Sequence, residues 1–237
     1  NKSKDEFISI ASHQLRTPAT GVKQYIGMLK EGFFGELSPD QANIIEKAYE
    51  SNERQLHIVN DLLKVAQVDD GRIVLNPIGI DLNQLVAKSI AELETKFAEH
   101  AQTLTFKPLE GSAKVFVDVD TVRMVMENII DNASKYTPRG RSIDVTVREK
   151  FNKGKRTVYV EVADRGVGIA EGEAVGLFKK FSRLPNELST TVGGTGLGLY
   201  WAKKIMLLHG GDIQYRQRRG GGSIFTVLFP QEVRNVV

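Results

Sequence analysis

The chain has no cysteine, which excludes disulfide bonds and thiolate metal sites and suits a reducing compartment. It also has no apolar run close to the roughly 20 residues that cross a bilayer. Residues 1–6 lack the charged-then-apolar plan of a signal peptide. We therefore expect a cytoplasmic segment that makes no membrane contact. A full-length protein could still be anchored in a membrane through segments upstream of residue 1.

Aromatic residues make up only 8% of the chain, and the basic residues are not gathered into a stripe. The formal net charge is +3, with the first 70 residues net acidic and the remainder net basic, which favours anions only weakly. Nucleic-acid binding would need a concentrated basic surface or interleaved aromatic side chains. We therefore expect no nucleic-acid partner, and we interpret Arg216, Arg218 and Arg219 as a solvated strand end.

The 237 residues are 41% hydrophobic and 26% charged, which is typical of a globular protein with room for a sizeable core. A helical period covers about Lys2–Glu31, returns at Pro39 and stops near residue 67. Ser38 before that proline, with Gln41 three residues later, predicts a helix N-cap with a capping box. We place a domain boundary near residue 72, so that residues 1–71 form an all-α helical hairpin.

Each of these two helices carries an apolar stripe at heptad spacing. A lone hairpin cannot bury both stripes, so the prediction is a homodimeric four-helix bundle. His13 falls on the outer face, Thr17 lies one turn further on, and Pro18 should bend the helix. The expected inward residues of the first helix are Ala11, Leu15, Pro18, Val22, Tyr25 and Leu29. Those of the second helix are Ile45, Tyr49, Leu56, Val59, Leu63 and Ala66, with Asn52 as an interruption.

Residues 72–237 alternate between shorter helical and strand patterns, which predicts an α+β two-layer sandwich. One helix, capped by Asp81 or Asn83, should run to about His100, and others should cover residues 119–136 and 196–209. The expected strands are residues 104–107, 115–117, 143–151, 157–163, 212–216 and 223–229.

Three polar side chains line one edge of the helix predicted over residues 119–136. Asn128, Asn132 and Lys135 are spaced four and three residues apart, beside the apolar set that would face the sheet. Asparagine is a poor helix former, so two of them in a helix interior favour a ligand-binding role. Amide oxygens suit Mg²⁺ and an ammonium group suits phosphate.

Asp164 ends a predicted strand and is followed by Gly166 and Gly168, which would let the backbone turn tightly beside a flat ligand. Its carboxylate can accept a hydrogen bond from an exocyclic amine. Residues 177–192 have the composition of a mobile lid.

The glycine-rich residues 193–199 then open a helix, whose unpaired N–H groups favour phosphate. A dinucleotide-binding fold would need a preceding strand and a GxGxxG spacing, and a P-loop would need GlyLysSer or GlyLysThr; the chain has none of these features at this position.

Five motifs in order resemble those of sensor histidine kinases. FISIASHQLRTP, residues 7–18, is similar to their phosphoacceptor box. NIIDNASKYTP, DRGVGI, LFKKFSR and GGTGLGL are similar to the asparagine, first glycine, phenylalanine and second glycine boxes of their ATP-binding domain. That domain has the fold shared by gyrase-type ATPases, Hsp90-type chaperones and MutL, called the GHKL fold. The resemblance covers nearly all of residues 7–230 and extends the second domain over residues 72–237.

The resemblance implies ATP and Mg²⁺ as cofactors and a role for each matched residue. Asn128 and Asn132 would coordinate Mg²⁺, Lys135 and Arg183 would approach phosphates, Tyr136 would pack on adenine, and Asp164 would receive the adenine amine. The loops around adenine and phosphate would be shaped by Gly166, Gly168, Gly194, Thr195, Gly196, Leu197 and Gly198.

The resemblance also implies that His13 is phosphorylated and passes its phosphoryl group to an aspartate of a response-regulator receiver domain. Thr17 matches the position that orients water when the family dephosphorylates that partner. His57, His100 and His209 match no acceptor motif and are interpreted as structural or surface residues. Gln14 stands where the family usually has Glu or Asp. This difference motivates one alternative, a catalytically impaired dimeric scaffold; a GHKL-type ATPase is the other.

Overall fold

The computed structural model describes residues 2–170, 172–182 and 194–230. Within the first helix it describes the side chains of Ile10 and of Gln14 onward. The chain forms two compact units, Asn1–Ile73 and Val74–Val237. None of the helices in the described ranges is long and apolar enough to cross a membrane.

The first unit is a hairpin of two long helices, α1 (Lys2–Lys30) and α2 (Pro39–Asp69). Helix α1 continues through Pro18. The predicted capping box of α2 is confirmed: the Gln41 backbone N–H donates to the Ser38 hydroxyl at 3.3 Å, and the Ser38 N–H donates to Gln41 Oε1 at 2.9 Å. Two of the otherwise unpaired groups at the start of α2 are thereby satisfied.

Asn52, which interrupts the heptad of α2, has a structural explanation. Its side chain is buried, and its Nδ2 donates to the backbone oxygen of Ala19 at 2.8 Å. A buried amide without such a partner would cost about 1–3 kcal/mol, so this contact favours one register of α2 against α1. The exposed ion pairs Lys23–Glu53 (2.8 Å) and Lys30–Glu46 (2.6 Å) agree with that register.

The expected inward stripe of α1 faces α2 only in part. Leu15, Val22 and Tyr25 are 49%, 46% and 70% exposed, and Pro18 is exposed as well, whereas Ala19 is buried against α2. A single neighbouring helix can cover only one side of an apolar stripe, so burial of this stripe in a four-helix bundle stays a prediction. The uncovered residues form a row along α1 that a second helix pair would have to bury.

The second unit contains seven strands and four α-helices within the described ranges. Its helices are α3 (Leu82–Ala91), α4 (Glu94–Glu99), α5 (Val119–Lys135) and α6 (Gly198–Leu208), with a short 3₁₀ turn at Glu173–Gly176. Its strands are β1 (Ile78–Asp81), β2 (Thr103–Lys107), β3 (Lys114–Val117), β4 (Ser142–Asn152), β5 (Lys155–Asp164), β6 (Asp212–Gln217) and β7 (Ser223–Pro230).

Five strands form one sheet in the order β2-β4-β5-β7-β6, in which β2 runs parallel to β4 and all other neighbours are antiparallel. Strands β1 and β3 form a separate antiparallel pair. Helix α5 buries the apolar set expected from its 3.6-residue period, namely Val122, Val125, Met126, Ile129 and Ala133. Alternate residues of β4 and β5 are likewise buried, so the predicted α+β two-layer sandwich is confirmed.

The helix expected to run to His100 is instead two helices, α3 and α4. Leu93 and Phe97 are both buried, and the Leu93 N–H bonds to the Ile90 oxygen as the chain changes direction. No glycine or proline marks this break, so the local pattern could not reveal it. The cap is Asp81, whose Oδ1 accepts from the N–H of Asn83 at 2.8 Å.

His209 joins the end of α6 to the start of α5. Its Nε2 accepts from the Asp118 backbone N–H at 3.0 Å, and its Nδ1 lies 2.9 Å from the Ile205 oxygen, so the neutral ring with a proton on Nδ1 satisfies both contacts. The side chain is buried, and this burial lowers the pKa of His209 below the ordinary histidine value, against smaller opposing effects of Ile205 and Asp118.

This depressed pKa predicts a loss of stability in mild acid. The unfolded chain takes up a proton at His209 at a higher pH than the folded chain does. The stability contributed by the neutral ring is therefore present above about pH 6.5 and is lost as the pH falls through the lowered pKa. Urea unfolding at pH 7.5 and 5.5 should show a smaller difference in unfolding free energy for His209→Gln than for the wild type. Equal differences in the two proteins would contradict the assignment.

Candidate active site

Asn128 and Asn132 lie on successive turns of α5, at the border between its buried face and solvent. Both are half-buried, and Asn132 Nδ2 donates to Asn128 Oδ1 at 3.1 Å. The pair bond orients the two amides and leaves Asn132 Oδ1 and one lone pair of Asn128 Oδ1 for a ligand. The helix thus presents two amide oxygens at one edge.

Lys135 extends this edge, held by a carboxylate that the motif comparison did not single out. Asp131 Oδ2 lies 2.5 Å from Lys135 Nζ, and Asp131 Oδ1 lies 2.8 Å from Lys96 Nζ. Burial by itself would raise the pKa of Asp131, but the two ammonium groups outweigh it and the pKa is lowered. The i, i+4 spacing of Asp131 and Lys135 was a usable sequence signal for this pair.

The first glycine motif is built against the end of α5. The Val167 N–H donates to the Tyr136 backbone oxygen at 3.2 Å. A Cβ atom on Gly166 would lie 2.2 Å from that same oxygen, so no other residue fits there without moving the backbone. Gly168 has φ +72°, in the left-handed region that glycine adopts without strain. These constraints fix Tyr136 beside the turn that follows β5.

Asp164, at the end of β5, is only 3% exposed. Its Oδ1 accepts from the backbone N–H groups of Gly166 at 2.8 Å and Ser223 at 3.0 Å. Burial raises the pKa of Asp164, although these two bonds and the nearby Arg218 favour the charged form. Among the described residues, both hydrogen bonds to the carboxylate side chain end on Oδ1 rather than on Oδ2.

The second glycine motif brings α6 against Asn128. Gly198 begins α6, and a Cβ atom there would lie 2.3 Å from Asn128 Nδ2. Gly196 has φ +69°, and its Cβ atom would lie 2.8 Å from the Ser182 oxygen, next to Phe181. Between them Leu197 is buried, with its N–H donating to Thr195 Oγ1 at 3.2 Å. The second glycine motif therefore packs against the phenylalanine motif at Gly196. It packs against the asparagine motif at Gly198.

The remaining predicted site residues do not belong to the cluster formed by the asparagine, phenylalanine and glycine motifs. His13 lies in α1, in the first unit, where Gln14 and Thr17 are exposed. A Cβ atom added to Gly194 would have no atom of the described residues within 4 Å. Arg183 and most of the expected lid, residues 183–192, lie outside the described residues.

The interpretation of Arg218 as part of a solvated strand end is wrong, because its side chain is only 18% exposed. Its Nη1 donates to the Ala163 and Asp164 backbone oxygens at 3.1 and 3.3 Å. Its Nη2 lies 2.8 Å from Asp144 Oδ2. Arg216 and Arg219 are exposed, as expected. No local pattern could reveal the difference, because the partners of Arg218 lie 54 to 74 residues earlier in the chain.

Magnesium is the metal that the α5 edge suits. In the described ranges, no three His, Cys, Asp or Glu side chains form a group that could hold a metal ion. The amide oxygens of Asn128 and Asn132 are hard ligands of the kind that Mg²⁺ accepts. Mg²⁺ usually takes few protein ligands and completes its shell with water and substrate phosphate. The residues present thus fit that ion when it arrives with a nucleotide.

Both units match known families. Residues 3–71 match the family described as the His Kinase A (phospho-acceptor) domain. Residues 117–233 match the histidine kinase-, DNA gyrase B- and HSP90-like ATPase family. The chain belongs to the sensor histidine kinases. The motif interpretation of both units is thereby confirmed at the level of the family.

Named relatives of this kinase family align with nearly the whole chain. It is 33% identical to the circadian input-output histidine kinase CikA of Synechococcus elongatus, covering 98% of this chain and 30% of that protein. It is 30% identical to the sensor histidine kinase WalK of Bacillus subtilis, covering 97% of this chain and 37% of that protein. The chain thus spans about a third of the length of these relatives.

Solved histidine kinases share the fold. Full-length ShkA in complex with AMPPNP superposes with a TM-score of 0.77 at 24% identity, covering 96% of this chain and 46% of ShkA. The Acinetobacter baumannii histidine kinase AdeS superposes with a TM-score of 0.61 at 25% identity, covering 93% of this chain and 98% of that one.

The turn packed on Asp164 predicts unequal effects of two matched substitutions. Gly221 and Gly222 have φ +99° and +100°, but only at Gly222 would a Cβ atom meet Asp164, 2.2 Å from its backbone oxygen. Both alanine variants strain the backbone, and Gly222→Ala adds overpacking worth about 1–3 kcal/mol. Urea unfolding should show Gly222→Ala less stable than Gly221→Ala by about that amount. Equal stabilities would show that the turn shifts away from Asp164 at no cost and would contradict the predicted overpacking.

Proposed function

We propose that the chain is the ATP-dependent kinase core of a two-component system. Residues 72–237 bind ATP with Mg²⁺ and deliver its γ-phosphoryl group to His13 on the helical hairpin, residues 1–71. The phosphoryl group then passes to an aspartate of a response-regulator receiver domain. The observation that carries this proposal is the meeting of three motifs around Asn128, Gly198 and Phe181 in one kinase-family fold that also carries a phosphoacceptor helix.

The nucleotide roles come from the motif resemblance, and the contacts of the second unit support them. Asp164 Oδ2 accepts the adenine amine, and Tyr136 packs against the base beside the Gly166 turn. Asn128 and Asn132 present amide oxygens to Mg²⁺, which supplies positive charge to the β- and γ-phosphates when bound. The α6 N-terminus, with Gly194 to Gly198, offers backbone N–H groups to phosphate oxygens.

Lys135 serves as the cation of this edge because Asp131 holds it in place. Approaching phosphate competes with Asp131 for the Lys135 ammonium group, while Lys96 remains to balance the Asp131 charge at 2.8 Å. Arg183 is assigned to phosphate on the motif alone.

Transfer to His13 needs alignment more than activation. An imidazole with an ordinary pKa near 6.5 is largely neutral at pH 7–8, so a ring nitrogen lone pair is available. The nitrogen forms a bond to the γ-phosphorus as the bond to the β,γ-bridging oxygen breaks, ADP leaves, and the ring gives its proton to solvent. Holding the two reactants in line is the main contribution of the protein.

The helical hairpin provides the interface of a homodimer. Leu15, Val22 and Tyr25 lie exposed along α1, and Ile44 and Ile58 are exposed on α2. Pairing with a second hairpin into a four-helix bundle buries such rows, whereas a monomer would leave them in water. Thr17, exposed one turn after His13, orients water for dephosphorylation of the receiver domain in this proposal, on the strength of the motif resemblance.

Incubation with γ-labelled ATP and Mg²⁺ tests the function directly. We expect acid-labile, alkali-stable label on the protein that is absent in His13→Ala and retained in His57→Ala, since His57 is an exposed histidine of the same hairpin that matches no acceptor motif. Nucleotide binding without label would favour the scaffold alternative. Released phosphate without protein label would favour the ATPase alternative.

Gln14 predicts a slow kinase that a carboxylate would accelerate. A glutamine amide can orient the His13 ring but is no effective base, and general-base help is typically worth about 10² to 10⁴ in rate. We expect Gln14→Glu to raise the initial rate of autophosphorylation severalfold or more. Gln24→Glu adds the same charge at another exposed position of α1 and should leave the rate unchanged. A wild-type rate that Gln14→Glu does not raise would show that this side chain is not limiting.

A further inference from the structure

The turn between β6 and β7 packs on the end of β5 at two points. Arg218 and Gly222 close this turn, with the Arg218 N–H donating to the Gly222 oxygen at 3.1 Å. Gly222 approaches the Asp164 backbone so closely that only a glycine fits. From the other side of the turn, the Arg218 guanidinium reaches the Ala163 and Asp164 backbone oxygens.

These contacts occur where the pairing of β5 with β7 ends. That pairing stops at Ala163 opposite Ile224, one residue before Asp164, whereas Asp164 still pairs with Ile143 of β4. Beyond the last β5–β7 pair, the Asp164 backbone oxygen accepts from Arg218 Nη1 at 3.3 Å. Buried backbone oxygens need donors, and the guanidinium supplies one at this end of the strand.

Arg218 is itself fixed from the opposite side. Its Nη2 lies 2.8 Å from Asp144 Oδ2 on β4, and its side chain is only 18% exposed. A guanidinium carries several donors in one rigid plane, so it can bond a carboxylate on one side and backbone oxygens on the other at once. Neighbouring Arg216 is 59% exposed and pairs with Glu161 instead, away from the Asp164 turn.

We propose that Arg218 is a positioning residue for base recognition: bridged to Asp144, it holds the β5 end so that Asp164 Oδ2 faces the adenine amine. The proposal rests on the assignment of Asp164 to adenine in the proposed function. Arg218 does not touch the nucleotide. It acts through the Asp164 backbone, while the Gly166 and Ser223 N–H groups fix the other carboxylate oxygen.

Discrimination between ADP and inosine diphosphate separates this role from a general structural one. Inosine carries a keto oxygen where adenine has its amine, so a carboxylate oxygen set to accept from the amine disfavours it. A variant that merely loosens the fold weakens binding of both diphosphates alike. A variant that misplaces Asp164 Oδ2 weakens ADP binding more and lowers the ratio of the two affinities.

The experiment is calorimetric titration of the whole chain with each diphosphate and Mg²⁺. Wild type should prefer ADP by at least about tenfold, because a group that loses its hydrogen-bond partner is strongly penalised. In Arg218→Met this preference should fall by about three- to tenfold, the range expected for one misplaced hydrogen bond. Arg218→Lys keeps the charge with a single donor group and should fall between the two. Arg216→Met is the matched control and should keep the wild-type preference.

The outcomes that contradict the two proposals differ. A wild type without preference for ADP contradicts the adenine assignment and, with it, the role of Arg218. A wild type that prefers ADP, together with an Arg218→Met variant that keeps the preference or loses affinity for both diphosphates equally, contradicts the role of Arg218 alone. If Arg218→Met does not fold, Asp144→Ala decides, since it frees one side of the guanidinium: a reduced preference supports the role and an unchanged preference contradicts it.

Discussion

Burying the Asp164 carboxylate at the end of β5 constrains everything packed around it. A side chain that is 3% exposed and ionisable must be met by donors and close backbone, and here it is met by the N–H groups of Gly166 and Ser223. The backbones of two turns come so near that neither Gly166 nor Gly222 can carry a Cβ atom. The first of these turns is bonded to the end of α5 through Tyr136, so the asparagine-bearing helix and the carboxylate are placed by one set of contacts.

The 3.6-residue period of α5 produces both a buried apolar face and a polar edge. Its buried side fixes the helix on the sheet, and its edge carries Asn128, Asn132 and Lys135, of which Asn128 lies against the glycine-rich start of α6. Gly198 meets the Asn128 amide directly, so the α6 N-terminus and the amide oxygens lie side by side. In the proposed function, these groups and the Lys135 ammonium group bind the phosphates, so that the site acts by positioning and charge.

The hairpin is organised by a different constraint. Its own contacts include one buried amide bond, from Asn52 to Ala19, and exposed ion pairs that each contribute little. Its apolar rows stay partly in water. The hairpin thus has a defined register between α1 and α2, but its apolar core is incomplete. Because α1 is also the phosphoacceptor helix, burial of these rows against a second copy would couple that helix to dimer formation.

The amino-acid sequence by itself determined most of the elements and the motifs of the candidate site: the capping box at Ser38, the buried face of α5, the strands β4 and β5, and the ordered motifs around Asn128, Asp164 and Gly196. These signals are local, since caps, periodicity and glycine spacing act within a few residues. Only the tertiary structure decided that the helix before His100 breaks at Leu93, that Asn52 bonds Ala19 and that Lys96 joins the Asp131–Lys135 pair. It also decided that Arg218 is buried against Asp164 while Arg216 is not. Most of these depend on residues far apart in the chain, and such contacts form only when the sheet and its helices come together.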